Sequence, residues 1–443
     1  MKITFILPAI GKKPGEKYIG TWKMEPLTIA VLKSLTPPDI ETEFFDDRIE
    51  CINYETKTDL VVITVETYTA KRSYQIAERF RQRGIPVLMG GYHVTLLPEE
   101  ALQYADSIII GNAESVWATA LEDFRKQQLQ KVYYGTFGYS DVPLDKSIFA
   151  GKKYLPISLV ETGRGCCHNC EFCAISAYYQ CKYYPRKHEQ IIKDIQNSPH
   201  HLFFLVDDNL VADVHNAKAL LRKLIPLKIK WAGQGTLAMA KDPELLQLMK
   251  ESGCELILIG FESLEQENLQ QMNKSFNVAL GERDELVQRI HDAGIGIYAT
   301  FVFGYDGDTE QTFADTLAFA KKHNFYTTAF NHLLPHPGTR LYQRLAAENR
   351  LIYQKWWLDE RYIYGDIAFQ PKNMTAGELS QYCRDIRKEY ARFSTVLKRG
   401  FYSMKRSSPL MWSLFWSMNL RLGKEVDEKM KIPLGRNLDE LPK

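Results

Sequence analysis

Three cysteines stand close together in one short segment and could hold a metal centre. Residues 162–173 read TGRGCCHNCEFC, so Cys166, Cys170 and Cys173 follow a C-x3-C-x2-C spacing. Three thiolates in one loop can hold three corners of an iron–sulfur cube and leave the fourth iron open to a small molecule. Electron-transfer clusters usually have four protein ligands. The spacing therefore predicts a cluster that takes part in chemistry.

A structural zinc site is the alternative for the same loop. Zinc in such sites prefers four closed protein ligands, and Cys167 or His168 would complete the set only with awkward local geometry. We expect Cys167 to be a bystander, because neighbouring loop residues rarely point at the same metal. The ligand count favours the cluster.

The elements that must position this loop alternate between strands and helices. In residues 1–140, short apolar strands separated by helices predict a doubly wound parallel sheet. In residues 150–350, six strands alternate with helices and predict a partial (β/α)6 barrel, whose first strand leads directly into the cysteine loop. Residues 351–443 are expected to form a small, mainly helical C-terminal extension, with one helix over residues 378–397.

Polar side chains follow the predicted barrel strands, at the ends where such barrels bind their ligands. They are Asp207, Asp208, Asn209, Gln234, Glu262 and Asp306. A carboxylate at such a position accepts hydrogen bonds from an ammonium group or from paired hydroxyls. The alternative for Asp207 and Asp208 is to cap the following helix. Capping is less expected for Glu262, because Ser263 is the better cap.

The composition limits the class of protein. The 443 residues are 45% hydrophobic and 25% charged with a net charge of +2, which is ordinary for two or three globular domains and argues against a dedicated nucleic-acid binder. Four of the eight cysteines lie in one loop, which fits metal ligation in a reducing cytoplasm. The sequence starts with no signal-peptide pattern, and no window reaches ~18 uncharged apolar residues.

The cysteine spacing, with the aromatic Phe172 just before the last cysteine, resembles the signature of the radical S-adenosylmethionine (SAM) enzymes. In that family, three cysteines hold a [4Fe-4S] cluster whose open iron binds the amino and carboxylate groups of SAM. An electron from the cluster then splits SAM to give a 5′-deoxyadenosyl radical. The resemblance implies a reducing partner such as flavodoxin or ferredoxin.

The resemblance also implies where SAM binds. Asp207 and Asp208 match the position after the second strand that binds the SAM amino group. Glu262 matches a fourth-strand position near the ribose hydroxyls, and Gly304 matches a small residue near adenine. The full set of expected SAM-binding residues is Phe172, Asp207, Asp208, Gln234, Glu262 and Gly304.

The segments 59–67, 87–93 and 108–114 resemble the cobalamin-binding domain that precedes many radical SAM cores. The residues expected at the cofactor are Thr67, Gly90, Gly91, His93, Gly111 and Glu114. One departure matters: the Asp-x-His-x-x-Gly loop of methionine-synthase-type domains is missing, since residues 10–15 contain no histidine. The domain is expected either to bind cobalamin without a histidine ligand or to have kept the fold without the cofactor.

Taken together, segments such as 203–209, 260–263, 301–306 and 337–339 look like the cobalamin-domain radical SAM group. That group includes radical methyltransferases and the enzymes of hopanoid, tetraether-lipid and bacteriochlorophyll biosynthesis. The resemblance implies methylation of an unactivated carbon in a small-molecule or lipid substrate. Two alternatives stay open: a radical cyclisation or coupling without methyl transfer, and a cluster- or cobalamin-binding sensor without turnover.

The segment 409–422 is rich in Trp and Leu. It is too short to span a bilayer. It is expected either to lie in a membrane interface, as peripheral contact of a cytoplasmic protein, or to pack against the barrel.

Overall fold

The computed structural model describes residues 1–16, 23–139, 143–274, 277, 283–404, 406–428 and 430–439. The chain forms two compact units. The first comprises Met1–Pro156, Tyr353–Gly365 and Lys431–Lys443, and the second comprises Ile157–Ile352 and Asp366–Met430. Residues 351–443 therefore contribute to both units.

A six-stranded parallel sheet forms the centre of the first unit, in the order β2-β1-β3-β4-β5-β6. The strands are β1 Lys2–Leu7, β2 Glu41–Asp46, β3 Leu60–Thr64, β4 Val87–Gly90, β5 Ser107–Ile110 and β6 Val132–Tyr134. A strand covered on both faces is apolar along its length, as in β3, which reads LVVIT. Because β2 lies on one side of β1 and β3 on the other, the sheet has a switch point between β1 and β3.

Among the described residues, five helices accompany this sheet: α1 Leu27–Leu35, α2 Ala70–Gln82, α3 Tyr92–Leu96, α4 Pro98–Ala101 and α5 Trp117–Arg125. Helix α2 ends as expected before Gly84, which has φ +74, a conformation that terminates a helix at little cost for glycine. Trp117 is fully buried in the core beside Phe5. Its indole Nε1 donates to Thr36 Oγ1 at 3.1 Å, so that the buried N–H is satisfied.

The second unit contains a six-stranded parallel sheet in which each strand pairs with the next along the chain, leaving β7 and β14 at the edges. The sequential order is that of a partial (β/α)6 barrel. Its strands are β7 Ser158–Val160, β10 Leu202–Leu205, β11 Lys230–Gly235, β12 Cys254–Glu262, β13 Gly296–Phe303 and β14 Thr327–His332. Between β7 and β10, the short strands β8 Gly163–Gly165 and β9 Tyr183–Pro185 pair in antiparallel fashion and enclose the cysteine loop.

The helices of the second unit follow these strands. They are α6 Ala174–Tyr179, α7 His188–Gln196, α8 Val214–Leu224, α9 Pro243–Glu251, α10 Gln266–Gln271, α11 Arg283–Asp292, α12 Glu310–His323, α13 Arg340–Ala347, α14 Ala376–Tyr390, α15 Phe393–Met404 and α16 Pro409–Glu428. Short 3-10 turns occur at Thr67–Thr69, Ala113–Ser115, Ser147–Phe149, Ile225–Leu227 and Leu237–Lys241.

The C-terminal helices differ from the expectation in one respect. The single helix expected over residues 378–397 is two helices, α14 and α15, which are separated at Ala391 and Arg392. Helix α14 starts at the capping box of Thr375 and Glu378. The break redirects the chain so that Val396 and Arg399 become buried.

Two short strands return to the first unit, β15 Ile363–Tyr364 and β16 Ile432–Pro433, and they pair in antiparallel fashion. Nearby, the buried Arg72 joins Asp47 and Asp439, with its Nη2 2.8 Å from Asp439 Oδ1. The fold-class prediction is confirmed: a parallel α/β unit and a partial barrel, with a helical C-terminal part. No described helix is long and apolar enough to cross a bilayer.

Candidate active site

The three predicted ligand cysteines lie in one loop between β8 and α6. Cys170 is buried, Cys166 and Cys173 are half-buried, and Cys167 is exposed. The loop turns back on itself at the Cys173 amide, which donates to the Cys170 carbonyl at 3.2 Å. The Cys167 thiol lies against the Ala212 carbonyl at 3.9 Å, in keeping with its expected role as a bystander.

The three thiols are close enough to influence one another. Burial raises the pKa of the Cys170 thiol to about 12; the nearby Lys274 opposes this shift, and Cys173, Glu262 and Cys166 reinforce it. Three convergent sulfur donors in one half-buried loop are the donor set that an iron–sulfur cluster requires. The described residues contain no group of three or more His, Cys, Asp and Glu arranged around a single metal ion. A cube holds its thiolates farther apart than one ion holds its ligands.

Later parts of the barrel fix the loop in place through Glu171. Its amide donates to the Met272 carbonyl at 2.9 Å, and its carbonyl accepts from the Leu341 amide at 3.1 Å. Its carboxylate accepts from Arg344 Nε at 2.7 Å, and Arg344 also lies 3.3 Å from Asp306. The backbone between Cys170 and Cys173 is therefore held from two sides before any ligand binds.

Asn209 connects the loop to the polar segment after β10. Its Nδ2 lies 3.6 Å from Cys166 Sγ, within the range of an N–H donor to sulfur. Asn209 is 3% exposed, so little water competes for this contact. Hydrogen bonds to ligand sulfurs are one of the means by which proteins set cluster potentials.

Asp207 and Asp208 take different roles. Asp207 is buried, and its carboxylate accepts from the Thr162 amide at 2.7 Å and from the Thr162 hydroxyl. Asp208 accepts from the Gly165 amide at 2.8 Å and keeps part of its surface exposed. Neither caps a helix, because Asp213 caps α8. Burial raises the pKa of Asp207 to about 7 and that of Asp208 to about 6.

Glu262 follows a register shift in β12 and has φ +63, a left-handed conformation that is costly for a residue with a side chain. Its carboxylate pairs with Lys274 at 2.7 Å, and Lys274 Nζ also donates to the Gly260 carbonyl at 3.0 Å. The expected competitor Ser263 does not precede α10 directly; its hydroxyl accepts from the Glu265 amide at 3.1 Å. The strained backbone and the ion pair with Lys274 therefore hold the Glu262 carboxylate in one orientation beside the cysteine loop.

The other three residues expected at SAM are Gln234, Phe172 and Gly304. Gln234 lies at the end of β11 and donates from Nε2 to the Asp207 carbonyl at 3.0 Å. Phe172 is half-buried against the barrel core. Gly304 has φ +113, and a Cβ there would meet the Phe369 ring at 2.8 Å. Packing alone therefore requires glycine at position 304.

The inner face of the barrel is open. Residues that face outward, such as Phe203, Ile257 and Phe301, are fully buried under the helices. The residues between them along each strand point to the inner face, where they lie beside each other on neighbouring strands and stay partly exposed. These inward positions define the chamber, which is lined by Leu159, Phe204, Ala232, Gln234, Leu258, Gly260, Tyr298, Thr300, Val302, Ala329 and Asn331. Most of the lining is apolar, which suits a space that must exclude water.

Helix α16 closes the chamber at the amino ends of the strands. Met411 and Phe415 are buried together with Leu256 of β12, and Ala232 and Tyr298 pack against the same cluster. Tyr326 donates from its hydroxyl to the Met411 carbonyl at 2.6 Å. Of the two expectations for residues 409–422, packing against the barrel is therefore what the structure shows for most of the segment.

Five of the six residues expected at cobalamin lie near the carboxyl ends of β3, β4 and β5. Gly91 has φ +107, and a Cβ there would meet the Val65 carbonyl at 2.8 Å. Gly111 has φ +82, and a Cβ there would meet the Gly135 carbonyl at 2.5 Å. Both glycines are thus required by the backbone itself. Gly90, by contrast, has no atom closer than 3.9 Å to an added Cβ. Thr67 is buried, and Glu114 is half-buried in the turn after β5.

His93, the sixth residue, lies in α3 two residues after Gly91, and its Nδ1 is 3.4 Å from Thr67 Oγ1. Its ring is fully buried, and Nε2 lies 3.1 Å from both Tyr74 Oη and Glu100 Oε1. A tryptophan of the returning segment, Trp357, donates to the same Glu100 oxygen at 2.9 Å. These contacts hold the His93 ring inside the first unit, and its expected place at the cofactor stays a prediction. Its buried side chain gave no signal in the sequence.

Sequence reasoning missed Lys274, Glu171 and Arg344. Lys274 is 104 residues from Cys170, and Arg344 is 173 residues from its partner Glu171. No local pattern links residues so far apart. The one available signal was chemical: a carboxylate expected to be buried at a strand end needs a cation or several donors beside it.

Comparisons with known proteins match this geometry. Residues 160–320 match the Radical SAM superfamily. Bacteriochlorophyllide d C-8(2)-methyltransferase of Chlorobaculum tepidum is 30% identical over 359 residues, which cover 74% of this chain and 78% of that protein. The C-12(1)-methyltransferase of the same organism is 28% identical over 414 residues, covering 90% and 88%.

The fold has a counterpart among solved structures. The radical SAM methyltransferase TsrM from Kitasatospora setae, solved with cobalamin and a [4Fe-4S] cluster, aligns with a TM-score of 0.66 at 13% identity, over 96% of this chain and 99% of that one. The family match begins in β7 and includes the cysteine loop and Glu262. The chain therefore belongs to the radical SAM superfamily and is an enzyme that uses a [4Fe-4S] cluster and SAM.

Proposed function

We propose that this enzyme transfers a methyl group to an unactivated carbon of an apolar small molecule, a tetrapyrrole or a lipid. The observation that carries the proposal is the chamber: an open, largely apolar space on the inner face of the barrel, whose first strand β7 precedes the cysteine loop. An apolar lining protects a reactive radical from water and suits an apolar substrate. The two relatives compared above are named as methyltransferases of a tetrapyrrole.

The residues at the strand ends divide the work of holding SAM. The cluster on Cys166, Cys170 and Cys173, when bound, supplies the electron that splits SAM. Asp208 is the carboxylate on the chamber side, and we assign it to the SAM ammonium group. Glu262 is assigned to the ribose hydroxyls, which its fixed orientation suits.

We assign Asp207 and Gln234 a positioning role. Asp207 anchors Thr162 just before the cysteine loop, and Gln234 holds the backbone at Asp207. Phe172 and Gly304 are assigned to shaping the space beside SAM, since Phe172 adjoins the last ligand cysteine and Gly304 ends β13. A buried carboxylate with all its bonds made rigidifies the site, whereas a partly exposed one remains available to a ligand.

Cobalamin is proposed as the methyl carrier, bound at the carboxyl edge of the first unit's sheet. Thr67, Gly90, Gly91, Gly111 and Glu114 would form its site, and parallel sheets of this order bind ligands at that edge. His93 is the one histidine in residues 1–156, and it is buried, so we expect cobalt without a protein histidine ligand. A flavodoxin or ferredoxin is the proposed electron donor.

Radical cyclisation or coupling without methyl transfer is the competing activity, and a sensor without turnover is the competing class. The cluster and SAM are shared by both reactions. Methyl transfer is distinguished by its need for a carrier.

The test is anaerobic reconstitution of the full chain with iron, sulfide and hydroxocobalamin, followed by reaction with SAM carrying a deuterated methyl group. Bacteriochlorophyllide d and a polycyclic lipid serve as the two trial substrates. We expect cobalamin to co-elute with the protein by its visible absorbance, and the label to appear in one of the substrates. Formation of 5′-deoxyadenosine without retained cobalamin or label would instead support cyclisation or coupling.

We also propose peripheral contact with a lipid surface, through which an apolar substrate can be reached. Within residues 409–422, Leu410 and Leu420 are the exposed large apolar side chains, at 49% and 56% exposure.

A further inference from the structure

Helix α15 has two faces of unusual character. Val396, Arg399, Gly400 and Ser403 are buried against the rest of the second unit. On the adjoining face, Phe393, Phe401 and Met404 are 66%, 56% and 48% exposed. A surface helix normally turns polar residues to solvent. This stripe of exposed residues is apolar instead.

The stripe cannot be turned inward by a small rotation of the helix. A Cβ at Gly400 would meet the Trp416 ring at 2.5 Å, and Trp412 Nε1 donates to the Gly400 carbonyl at 3.1 Å. The buried Arg399 guanidinium donates to Asn419 Oδ1 at 2.8 Å and to the Phe325 and Tyr326 carbonyls at 3.3 Å. These contacts fix which face of α15 points outward.

The surroundings of the stripe are cationic. Residues 390–424 contain seven Lys and Arg and no Asp or Glu. Of these cations, Arg399 is buried, Arg392 pairs with Glu389, and Lys424 pairs with Glu428. Lys398, which lies three residues before Phe401, is exposed. Arg406 lies over the Tyr402 ring at 4.1 Å. Among the described residues, no carboxylate forms an ion pair with either of these two cations. Leu410, at the start of α16, extends the exposed apolar surface.

We propose that the outer face of α15, together with Leu410, docks on an anionic membrane surface. Apolar side chains of an amphipathic helix insert into the boundary between headgroups and acyl chains, while the flanking Lys and Arg meet anionic headgroups. The cations Lys398 and Arg406 beside the stripe suit an anionic lipid surface better than a protein partner, whose rim usually carries charges of both signs. The inference deepens the proposed membrane contact and moves it from residues 409–422 mainly to α15.

The test is co-sedimentation of the full chain with vesicles of phosphatidylcholine alone and with phosphatidylglycerol added. We expect binding to the anionic vesicles that weakens as salt is added. The double substitution Phe401→Asp and Met404→Asp should weaken this binding at least tenfold. The matched control is Tyr134→Asp, which changes a 73% exposed aromatic residue in the first unit and should bind like the parent. Lys398→Gln and Arg406→Gln should each cost about fivefold.

Thermal unfolding followed by circular dichroism verifies that each variant is folded, and 5′-deoxyadenosine formation from SAM in vesicle-free solution separates docking from catalysis. Parent-like SAM cleavage with lost vesicle binding supports the proposal whatever the methyl acceptor is. Equal binding of the double variant and the parent, or equal binding to neutral and anionic vesicles, overturns it. The proposal is also overturned if the parent does not bind vesicles but self-associates, and the double variant abolishes that self-association. A second copy of the chain would then be the partner.

Discussion

At the scale of single residues, the contact of Asn209 with Cys166 has the most direct chemical consequence. Replacing Asn209 with Leu removes an N–H donor from Cys166, which we propose as a cluster ligand; this leaves more charge on the sulfur and favours the oxidised cluster. We expect the reduction potential to fall by roughly 40 mV, the one-electron equivalent of a hydrogen bond worth about 1 kcal/mol.

Redox titration of the reconstituted protein followed by electron paramagnetic resonance measures this potential. Cys167→Ala is the control, because its exposed thiol is expected to lie outside the ligand set. An unchanged potential in Asn209→Leu would show that the contact with Cys166 is lost once the cluster is bound.

The two neighbouring aspartates should separate in a binding experiment. Asp208→Asn removes the proposed partner of the SAM ammonium group and should weaken SAM binding about 10- to 100-fold, as expected for a charged hydrogen bond. Asp207→Asn should change SAM affinity much less and lower the melting temperature, because its carboxylate holds Thr162. Calorimetry on the reconstituted variants gives both quantities. Equal losses of SAM affinity would show that the two carboxylates are not divided in this way.

At the scale of the elements, much of the fold could be predicted and much of the site could not. Alternating apolar strands and helices predict two parallel sheets, and sequential strands lying side by side account for the order of the second sheet. They do not account for the first sheet, in which β1 lies between β2 and β3. The sequence predicts the same role for Asp207 and Asp208, and their different burial emerges only from the structure because both lie beyond the end of β10. Lys274 and Arg344 could not be predicted as parts of the site, because contacts over a hundred residues along the chain leave no local pattern.

The segment from Tyr353 to Gly365 belongs to the first unit, and Glu100 anchors it. Burial alone would raise the pKa of Glu100, but hydrogen bonds from His93, Lys355 and Trp357 outweigh burial and lower the pKa to about 2. The ionised form is therefore favoured in the folded state. Ionised Glu100 contributes roughly 3 kcal/mol to the free energy of unfolding. This contribution is present above about pH 4.5 and is lost as the pH falls toward 2.

Glu100→Gln should accordingly loosen residues 353–365 at pH 7 and reduce the acid sensitivity of the first unit. Hydrogen exchange of that segment, measured against the strands of the barrel, follows the local effect. Glu99→Gln is a matched control at an adjacent position of α4. Unchanged exchange in Glu100→Gln would mean that the aromatic contacts of Trp357 hold the segment without the carboxylate.

At the scale of the whole molecule, the first unit is assembled from three separate parts of the chain. Its last part supplies β16, which pairs with β15, and Asp439, which pairs with the buried Arg72. The amide of Gly435 also donates to the Ile10 carbonyl at 2.7 Å. A chain ending at residue 430 loses these contacts and leaves Arg72 with Asp47 alone.

We expect this truncation to lower the melting temperature of the first unit by about 5–10 °C, given ~2–4 °C for each kcal/mol lost in a domain of this size. Hydrogen exchange should rise in the loop after β1 and stay constant in β12 and β13. Asp439→Asn alone should have a smaller effect, because that carboxylate is half exposed. Faster exchange in the barrel strands would show that the last segment supports the second unit as well.

We propose that Cys166, Cys170 and Cys173 hold the cluster that cleaves SAM. The most direct measurement is 5′-deoxyadenosine formation from SAM by the anaerobically reconstituted chain under reducing conditions, compared with Cys170→Ala and Cys167→Ala. We predict product from the parent and from Cys167→Ala, and neither cluster absorbance nor product from Cys170→Ala. No 5′-deoxyadenosine from the parent, or a cluster lost in Cys167→Ala and kept in Cys170→Ala, would contradict the account.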